Sequence, residues 1–409
     1  MTAELQCLGN GLTVAVDPLA SAESVALGLY VKVGSRSEPE PLGGIAHLVE
    51  HMVFKGAGGR DTRALAEVIE DVGGSLNAWT ARDQTAFHGR ALARDLPLVA
   101  GLIADLVRAP HFDEDHLERE KQVILSELGE SVDSPEDLVH DHLFEAAFDA
   151  QPIGRPVLGT ESSIRSATRQ DCFDWLAREF VPSRMILAAS GKVDGDQLCA
   201  LAERLFGDMG TRPEPHVQSA RFTGGLRNDR RSFEQAHWCL AFAGLAAADE
   251  RTPALSLFVQ ALGGGTSSRL FQELREERGL AYSIYAWNQA FADIGLVGIG
   301  CAADRARAAE AIGLARDLVS ACAESLSTAE LQRARAQIEA SLLMALETPQ
   351  GRADHLARSI EVFGRAIATS ELIEQLRAVD VAHARAAGAA LLDGPVAIAS
   401  VGARLALAA

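Results

Sequence analysis

Asp61-Thr-Arg-Ala-Leu65-Ala-Glu-Val-Ile-Glu70-Asp-Val-Gly-Gly74-Ser-Leu-Asn-Ala-Trp-Thr80-Ala-Arg-Asp-Gln-Thr85-Ala-Phe-His-Gly-Arg90-Ala-Leu92 is the stretch on which the fold turns. Its first part has helical spacing: Leu65, Val68, Ile69 and Val72 make one apolar stripe over residues 61–72. Asp61 stands where an N-cap belongs, and Gly73-Gly74 frees the backbone to leave the helix. The period then changes, and residues 75–80 and 84–92 read as two strands. Upstream, residues 24–33 (Ser-Val-Ala-Leu-Gly-Leu-Tyr-Val-Lys-Val) read as another strand, and downstream helical segments run from about 95 to 180. Strands followed by helices in one stretch of chain indicate an α+β fold.

The same order returns further along. At a shift of 206, Arg63 meets Arg269, Gly73 meets Gly279 and Trp79 meets Tyr285. At 212, Asp105-Leu-Val107 meets Asp317-Leu-Val319, and at 214, Leu117 meets Leu331 and Pro135 meets Pro349. A drifting shift with preserved order is the mark of a duplicated unit with loop insertions. The second copy is expected to carry a strand near 237–243, helices near 252–262 and 267–277, and strands near 281–302. Ser327-Thr-Ala-Glu330 is a capping box for a further helix. Gly207, Gly210, Pro213, Pro215, Gly224 and Gly225 cluster at the joint. The expected division is a domain at 1–212, a linker at 213–224 and a homologous domain at 225–409. Each domain should be an antiparallel or mixed β-sheet covered by helices.

Composition bounds the rest. The chain is 48% hydrophobic and 23% charged, which is ample for globular cores. No apolar run reaches the ~18 residues of a membrane-spanning helix. Met1-Thr-Ala-Glu4 has no basic stretch followed by an apolar one, so the expectation is a cytoplasmic protein without a secretory signal. The cysteines at 7, 172, 199, 239, 301 and 322 are scattered without a C-x-x-C pair, as reduced thiols are. A net charge of -18 repels nucleic acid and favours cationic ligands. Gly263-Gly-Gly-Thr-Ser-Ser-Arg269 lacks the Gly-Lys-Ser/Thr ending of a phosphate loop; a helix stop followed by a Ser-capped helix is expected there.

The chemistry lies in His47-Leu48-Val49-Glu50-His51. On a helix from about 44 to 55, Ile45, Leu48, Val49, Met52 and Val53 share one face, and His47, Glu50 and His51 share the opposite one. Imidazoles at i and i+4 lie one turn apart and can reach one ion, with Glu50 placed to approach a water on it. A catalytic zinc takes three protein ligands and leaves a position open. Glu120 and Glu127, seven residues apart, point within about 20° of each other on a helix. Either could ligate while the other orients a histidine, and the spacing does not choose between them.

With these residues in place the chain resembles the pitrilysin-type inverted-zincin metallopeptidases, in their mitochondrial-processing-peptidase-like branch. The resemblance rests on the H-x-x-E-H order and on Val33-Gly-Ser-Arg36 and Gly44-Ile-Ala-His-Leu-Val-Glu-His-Met-Val-Phe-Lys-Gly56. It extends through Asn77-Ala-Trp-Thr80 and Gly154-Arg-Pro-Val-Leu-Gly159 to essentially the whole chain. It implies a zinc-dependent endopeptidase with His47, His51 and Glu127 as ligands, since Glu127 lies 76 residues after His51 at the family's spacing. It further implies Glu50 as general base and Glu120 as the acidic residue behind a histidine. Asn77 and Ala78 match the edge strand that aligns an extended substrate, and Arg275 and Tyr282 match a pair that reaches bound substrate from the second domain. In the second copy Pro253, Ser256 and Leu257 stand opposite His47, Glu50 and His51, and Ser341 stands opposite Glu127. One zinc per chain is therefore expected. Family members enclose substrate in a chamber of four such domains, which implies a homodimer here, with a heterodimer as the lesser option. The substrate is expected to be an unfolded or short peptide, extended and basic, with no nucleic-acid or membrane partner. The rival reading is a non-catalytic structural or partner subunit of a heterodimeric peptidase.

Overall fold

The computed structural model describes residues 3–406; the reading of the N-terminus rests partly on Met1 and Thr2, which lie outside the described residues. Two compact units are present. The first is built on a six-stranded mixed sheet in the order Glu4–Cys7, Thr13–Pro18, Met185–Gly191, Ser24–Val31, Thr85–Leu92, Ser75–Thr80. Thr13–Pro18 and Met185–Gly191 run parallel, and the other neighbours antiparallel. The second unit has five strands in the order Ala281–Ala290, Gly295–Asp304, Gln235–Gly244, Val396–Val401, Gly225–Asp229, with the last pair parallel. Apart from the extra Glu4–Cys7 strand, the two sheets share one topology, and the duplication read from the sequence is present in the fold.

Each sheet buries both faces, because side chains alternate along a strand. In the first unit Val25, Leu27, Leu29 and Val31 of the central strand join a core with helices Ile45–Val53, Leu96–Arg108 and Gly195–Phe206. On the other face Tyr30, Ala86, Ile186 and Ala188 pack against Leu356, Ala357 and Ile360 of helix Pro349–Phe363. The ring of Tyr30 lies over Gly28, where a Cβ would stand 2.5 Å from it. Tyr30 donates to Asp354 Oδ1 at 2.5 Å, and fully buried Asp17 pairs with Arg352 at 2.7 Å. In the second unit Trp238, Leu240 and Phe242 line one face; Cys239 and Ala241, with Ala397 and Ala399, meet Leu143 and Phe144 of helix Pro135–Ala147 on the other.

The compact units do not follow the two contiguous halves at 1–212 and 225–409. Among the described residues, the first comprises 3–128, 156–218 and 343–369; the second comprises 129–155, 219–342 and 370–406. Each half therefore gives one helix to the other unit, Pro135–Ala147 in one direction and Pro349–Phe363 in the other. The two helices occupy equivalent places in the repeat, starting at Pro135 and Pro349. Each begins after a capping residue: Ser134 Oγ accepts from Asp137 N at 3.3 Å, and Thr348 Oγ1 from Gly351 N at 3.0 Å. Proline at the first helical position follows each cap, so the chain changes direction there without losing a helical hydrogen bond.

Local readings hold in detail. Asp61 caps Thr62–Glu70 by accepting from Ala64 N at 2.8 Å, and Ser327 and Glu330 form the reciprocal capping box at 3.3 and 2.8 Å. Two details differ. Residues Phe271–Glu277 form a wide π-type helix, in which Arg278 N donates to Glu273 O at 3.2 Å. Ahead of it, the buried Ser268 hydroxyl makes no hydrogen bond, so the expected serine cap is absent. All six cysteines are free. Among the described residues, no helix is long and apolar enough to cross a membrane.

Candidate metal centre

Helix Ile45–Val53 starts at Gly44, whose φ of +87° places it in the left-handed region. A side chain here would also strike the backbone, since a Cβ would stand 2.6 Å from Leu158 O. The free amides at this helix start are met by Glu38, a residue only 3% exposed. Its two carboxylate oxygens accept from Gly44 N at 2.8 Å and Ala46 N at 2.9 Å. An anion at a helix N-terminus satisfies orphan donors and complements the helix dipole. Ile45, Leu48, Val49, Met52 and Val53 are all buried, as their spacing requires, and the opposite face presents His47, Glu50 and His51.

Helix Glu114–Asp133 supplies the carboxylates. His47 Nε2 lies 3.9 Å and His51 Nε2 3.6 Å from the same Glu127 oxygen. Among the described residues, His47, His51 and Glu127 form the single group of three whose donor atoms all lie within 4.8 Å of one another. Ligands at about 2.0–2.1 Å from a tetrahedral zinc stand about 3.4 Å apart, so small side-chain adjustments bring this set to bonding distance. Two imidazole nitrogens and one carboxylate oxygen are a zinc-type donor set. The two glutamates, equivalent in the spacing, differ in direction. Glu127 faces both Nε2 atoms, while Glu120 Oε2 lies 3.1 Å from His51 Nδ1, on the ring's far side.

Electrostatics suit ligation. Burial, and then the neighbouring His51, lowers His47 to about 4, so the ring is neutral at physiological pH and its lone pair is free for a metal. Burial raises the Glu50 carboxyl above its ordinary range, and its Oε2 is buried with no hydrogen-bond partner. Glu50 shares its helix face with the two histidines, and Glu127 is close enough to raise its carboxyl further.

The remaining expected residues fall into two groups. Asn77 and Ala78 lie on Ser75–Thr80, which among the described residues pairs only with Thr85–Leu92 and forms an edge of its sheet. Asn77 is exposed, Ala78 is buried, and helix Ile45–Val53 packs beside this strand. Arg275 and Tyr282 belong to the second unit. Arg275 sits in the π-type helix with its guanidinium 4.9 Å from the Phe271 ring centre. Tyr282 falls at a break in register between Ala281 and Ser283, a bulge that turns it outward until it is 74% exposed. Sequence reasoning missed Glu38 and Lys55, whose Nζ lies 2.9 Å from Glu120 Oε1. Lys55 follows His51 by four residues, a helical spacing that could have flagged it; Glu38 carries no comparable signal.

Comparison with known proteins agrees with this geometry. A family model described as insulinase (peptidase family M16) matches residues 13–161, and one described as peptidase M16 inactive domain matches residues 166–338. The second match covers the helix in which Pro253, Ser256 and Leu257 stand in place of the metal-helix residues. Proteins named uncharacterized zinc protease are similar over nearly the whole length. The one from Mycobacterium leprae is 35% identical over 94% of this chain and 88% of its own; that from Streptomyces coelicolor is 33% identical over 93% and 85%. In fold, a protease from Helicobacter pylori superposes with a TM-score of 0.88 at 20% identity, covering 97% of this chain and 99% of that one. A peptidase M16 inactive domain from Pseudomonas fluorescens superposes with 0.91 at 21% identity over 100% of both. The chain belongs to the insulinase, or M16, family of peptidases.

Proposed function

We propose that this protein is a zinc-dependent endopeptidase that hydrolyses unfolded or short peptides, with one zinc held by His47, His51 and Glu127 and with Glu50 as general base. The carrying observation is the convergence of those three donors within 4.8 Å beside the buried, unpartnered oxygen of Glu50. Zinc with three protein ligands and one open position supplies Lewis acidity toward a scissile carbonyl and makes water nucleophilic near neutral pH. Glu50 takes the proton of the attacking water and delivers it to the leaving amine. The burial that raises its pKa brings the base closer to working pH. His51 keeps one nitrogen toward Glu127 because Glu120 accepts from the other.

Substrate handling follows from the edge strand. An extended peptide adds beside Ser75–Thr80, with Asn77 and Ala78 setting its register. Arg275 offers donors to a peptide carbonyl, and Tyr282 offers its hydroxyl to the developing oxyanion. A net charge of -18 favours basic peptides. We place the chain in the mitochondrial-processing-peptidase-like branch, working in the cytoplasm as a homodimer whose four domains close a chamber; a heterodimer with a related subunit is the lesser form.

The test is to incubate the purified protein with an unstructured basic peptide. Cleavage should occur, stop with a chelator and return with zinc. Glu50→Gln should retain zinc and lose about 10²–10⁴-fold in rate; a zinc-loaded variant with wild-type turnover would refute the base assignment. A non-catalytic partner subunit predicts no cleavage by the isolated chain, and the complete ligand set argues against it. Size exclusion with light scattering should return twice the chain mass.

A further inference from the structure

We propose that Lys55 is a positioning residue, fixing the metal-holding imidazole of His51 through the carboxylate of Glu120. The inference rests on the zinc site argued above and assigns a role to a side chain outside the ligand set. Four atoms carry it. Lys55 Nζ stands 2.9 Å from Glu120 Oε1, and Glu120 Oε2 stands 3.1 Å from His51 Nδ1. The Glu120 side chain is only 10% exposed, so water cannot readily replace either partner.

The consequence is geometric. A carboxylate held at one oxygen alone can swing about its terminal torsion, which is broad and soft. With Oε1 tied to the Lys55 ammonium, Oε2 stays where it accepts from His51 Nδ1–H. A histidine whose Nδ1 carries the proton presents its Nε2 lone pair, and that atom faces Glu127 at 3.6 Å. Lys55 is itself anchored by its peptide group. Its N–H donates to Met52 O at 3.1 Å, and its carbonyl accepts from Thr62 Oγ1 at 3.0 Å and lies 2.9 Å from His116 Nδ1. The ammonium therefore reaches Glu120 from a fixed backbone, and the chain Lys55–Glu120–His51 ties the end of the metal helix to the carboxylate helix. His47 is held differently. Its Nδ1 is buried without a hydrogen-bond partner, and its ring meets that of His51 edge-on with centroids 4.6 Å apart.

Zinc affinity of the full-length protein, measured by competition with a chromophoric chelator, tests the chain. Groups that orient a ligand from behind are commonly worth 10–100-fold in metal affinity. Lys55→Met should weaken zinc binding about 10-fold, and Lys55→Arg should recover most of it. In a Glu120→Gln background Lys55→Met should add less than about 2-fold, because its effect runs through Glu120. The visible spectrum of the cobalt-substituted protein should change in Lys55→Met and not in the surface control Lys192→Met. Wild-type affinity and spectrum in Lys55→Met overturn the inference while leaving the zinc reading intact. So does a full additional loss in the double variant, or an equal loss in Lys55→Arg accompanied by a lower melting temperature of the metal-free protein. Wild-type protein that takes up no zinc overturns the zinc reading and this inference together.

Discussion

Acidifying the metal-free protein should destabilise it by an amount set largely by His47. Burial, reinforced by His51, holds this imidazole at about 4 in the folded chain, against about 6.5 when unfolded. Between those values the unfolded chain binds a proton that the folded chain refuses. Stability is therefore fully present above the unfolded pKa and falls as pH drops through the window toward the folded one. A gap of about 2.5 units at about 1.4 kcal/mol each amounts to roughly 3 kcal/mol, nearly all of it expressed by pH 4. The side chain is 14% exposed, which leaves little solvent screening to discount. Urea unfolding of metal-free wild type and of His47→Leu, each at pH 7 and pH 4, isolates this contribution. Groups that do not touch His47 cancel in the difference. Wild type should lose about 3 kcal/mol more than the variant over that interval. Parallel losses in the two proteins would show that the ring titrates normally when folded, and the account of a neutral, desolvated ligand would fail.

Three further outcomes are expected. His51→Ala should lose zinc, since it removes a donor and the partner of Glu120 Oε2; one zinc per chain by metal analysis would refute its ligand role. Glu38→Gln replaces one of two accepting oxygens with an amide that cannot accept, losing about 1.5–3 kcal/mol. At roughly 2–4 °C per kcal/mol for a domain of this size, the melting temperature should fall by about 3–12 °C, and an unchanged value would remove the cap from the account. Tyr30→Phe deletes the hydroxyl that donates to Asp354 of the exchanged helix Pro349–Phe363 and should cost about 1–2 kcal/mol in urea unfolding; a neutral effect would mean that apolar packing alone seats that helix.

How much of this was legible beforehand depends on how local each signal is. The face carrying His47, Glu50 and His51 was legible because helical geometry fixes the angle between residues three and four apart. The choice of Glu127 over Glu120 was not legible from spacing. The two share a helix face, and only the placement of helix Glu114–Asp133 against the metal helix puts one before the imidazoles and the other behind His51. The exchanged helices show the same limit on a larger scale. Pro135–Ala147 falls within the helical stretch expected from about 95 to 180, but nothing in that expectation says which sheet it will cover. Glu38 caps a helix start from six residues before Gly44, with a buried carboxylate in an otherwise unremarkable Ser-Glu-Pro-Glu stretch.

On the proposed zinc reading, the duplicated unit explains why one copy can hold a metal while both fold alike. In the first copy the metal helix is amphipathic: six of its nine residues are buried, and the histidines and Glu50 keep partial exposure. Its counterpart, Thr252–Gly263, buries Ala254, Leu255, Leu257, Phe258, Val259, Ala261 and Leu262, and so is apolar nearly all round. Leu257, in the place of His51, is fully buried, and Ser341 offers no carboxylate where Glu127 would stand. An imidazole at 257 would be desolvated with no ion and no acceptor to compensate, a cost that burial of a leucine avoids. Conversely, an apolar residue at 47 or 51 would suit the packing of the first unit and destroy its site. The shared strand order thus tolerates either solution, because the sheet needs only one apolar face from this helix. What the opposite face carries is free to serve chemistry in one copy and packing in the other.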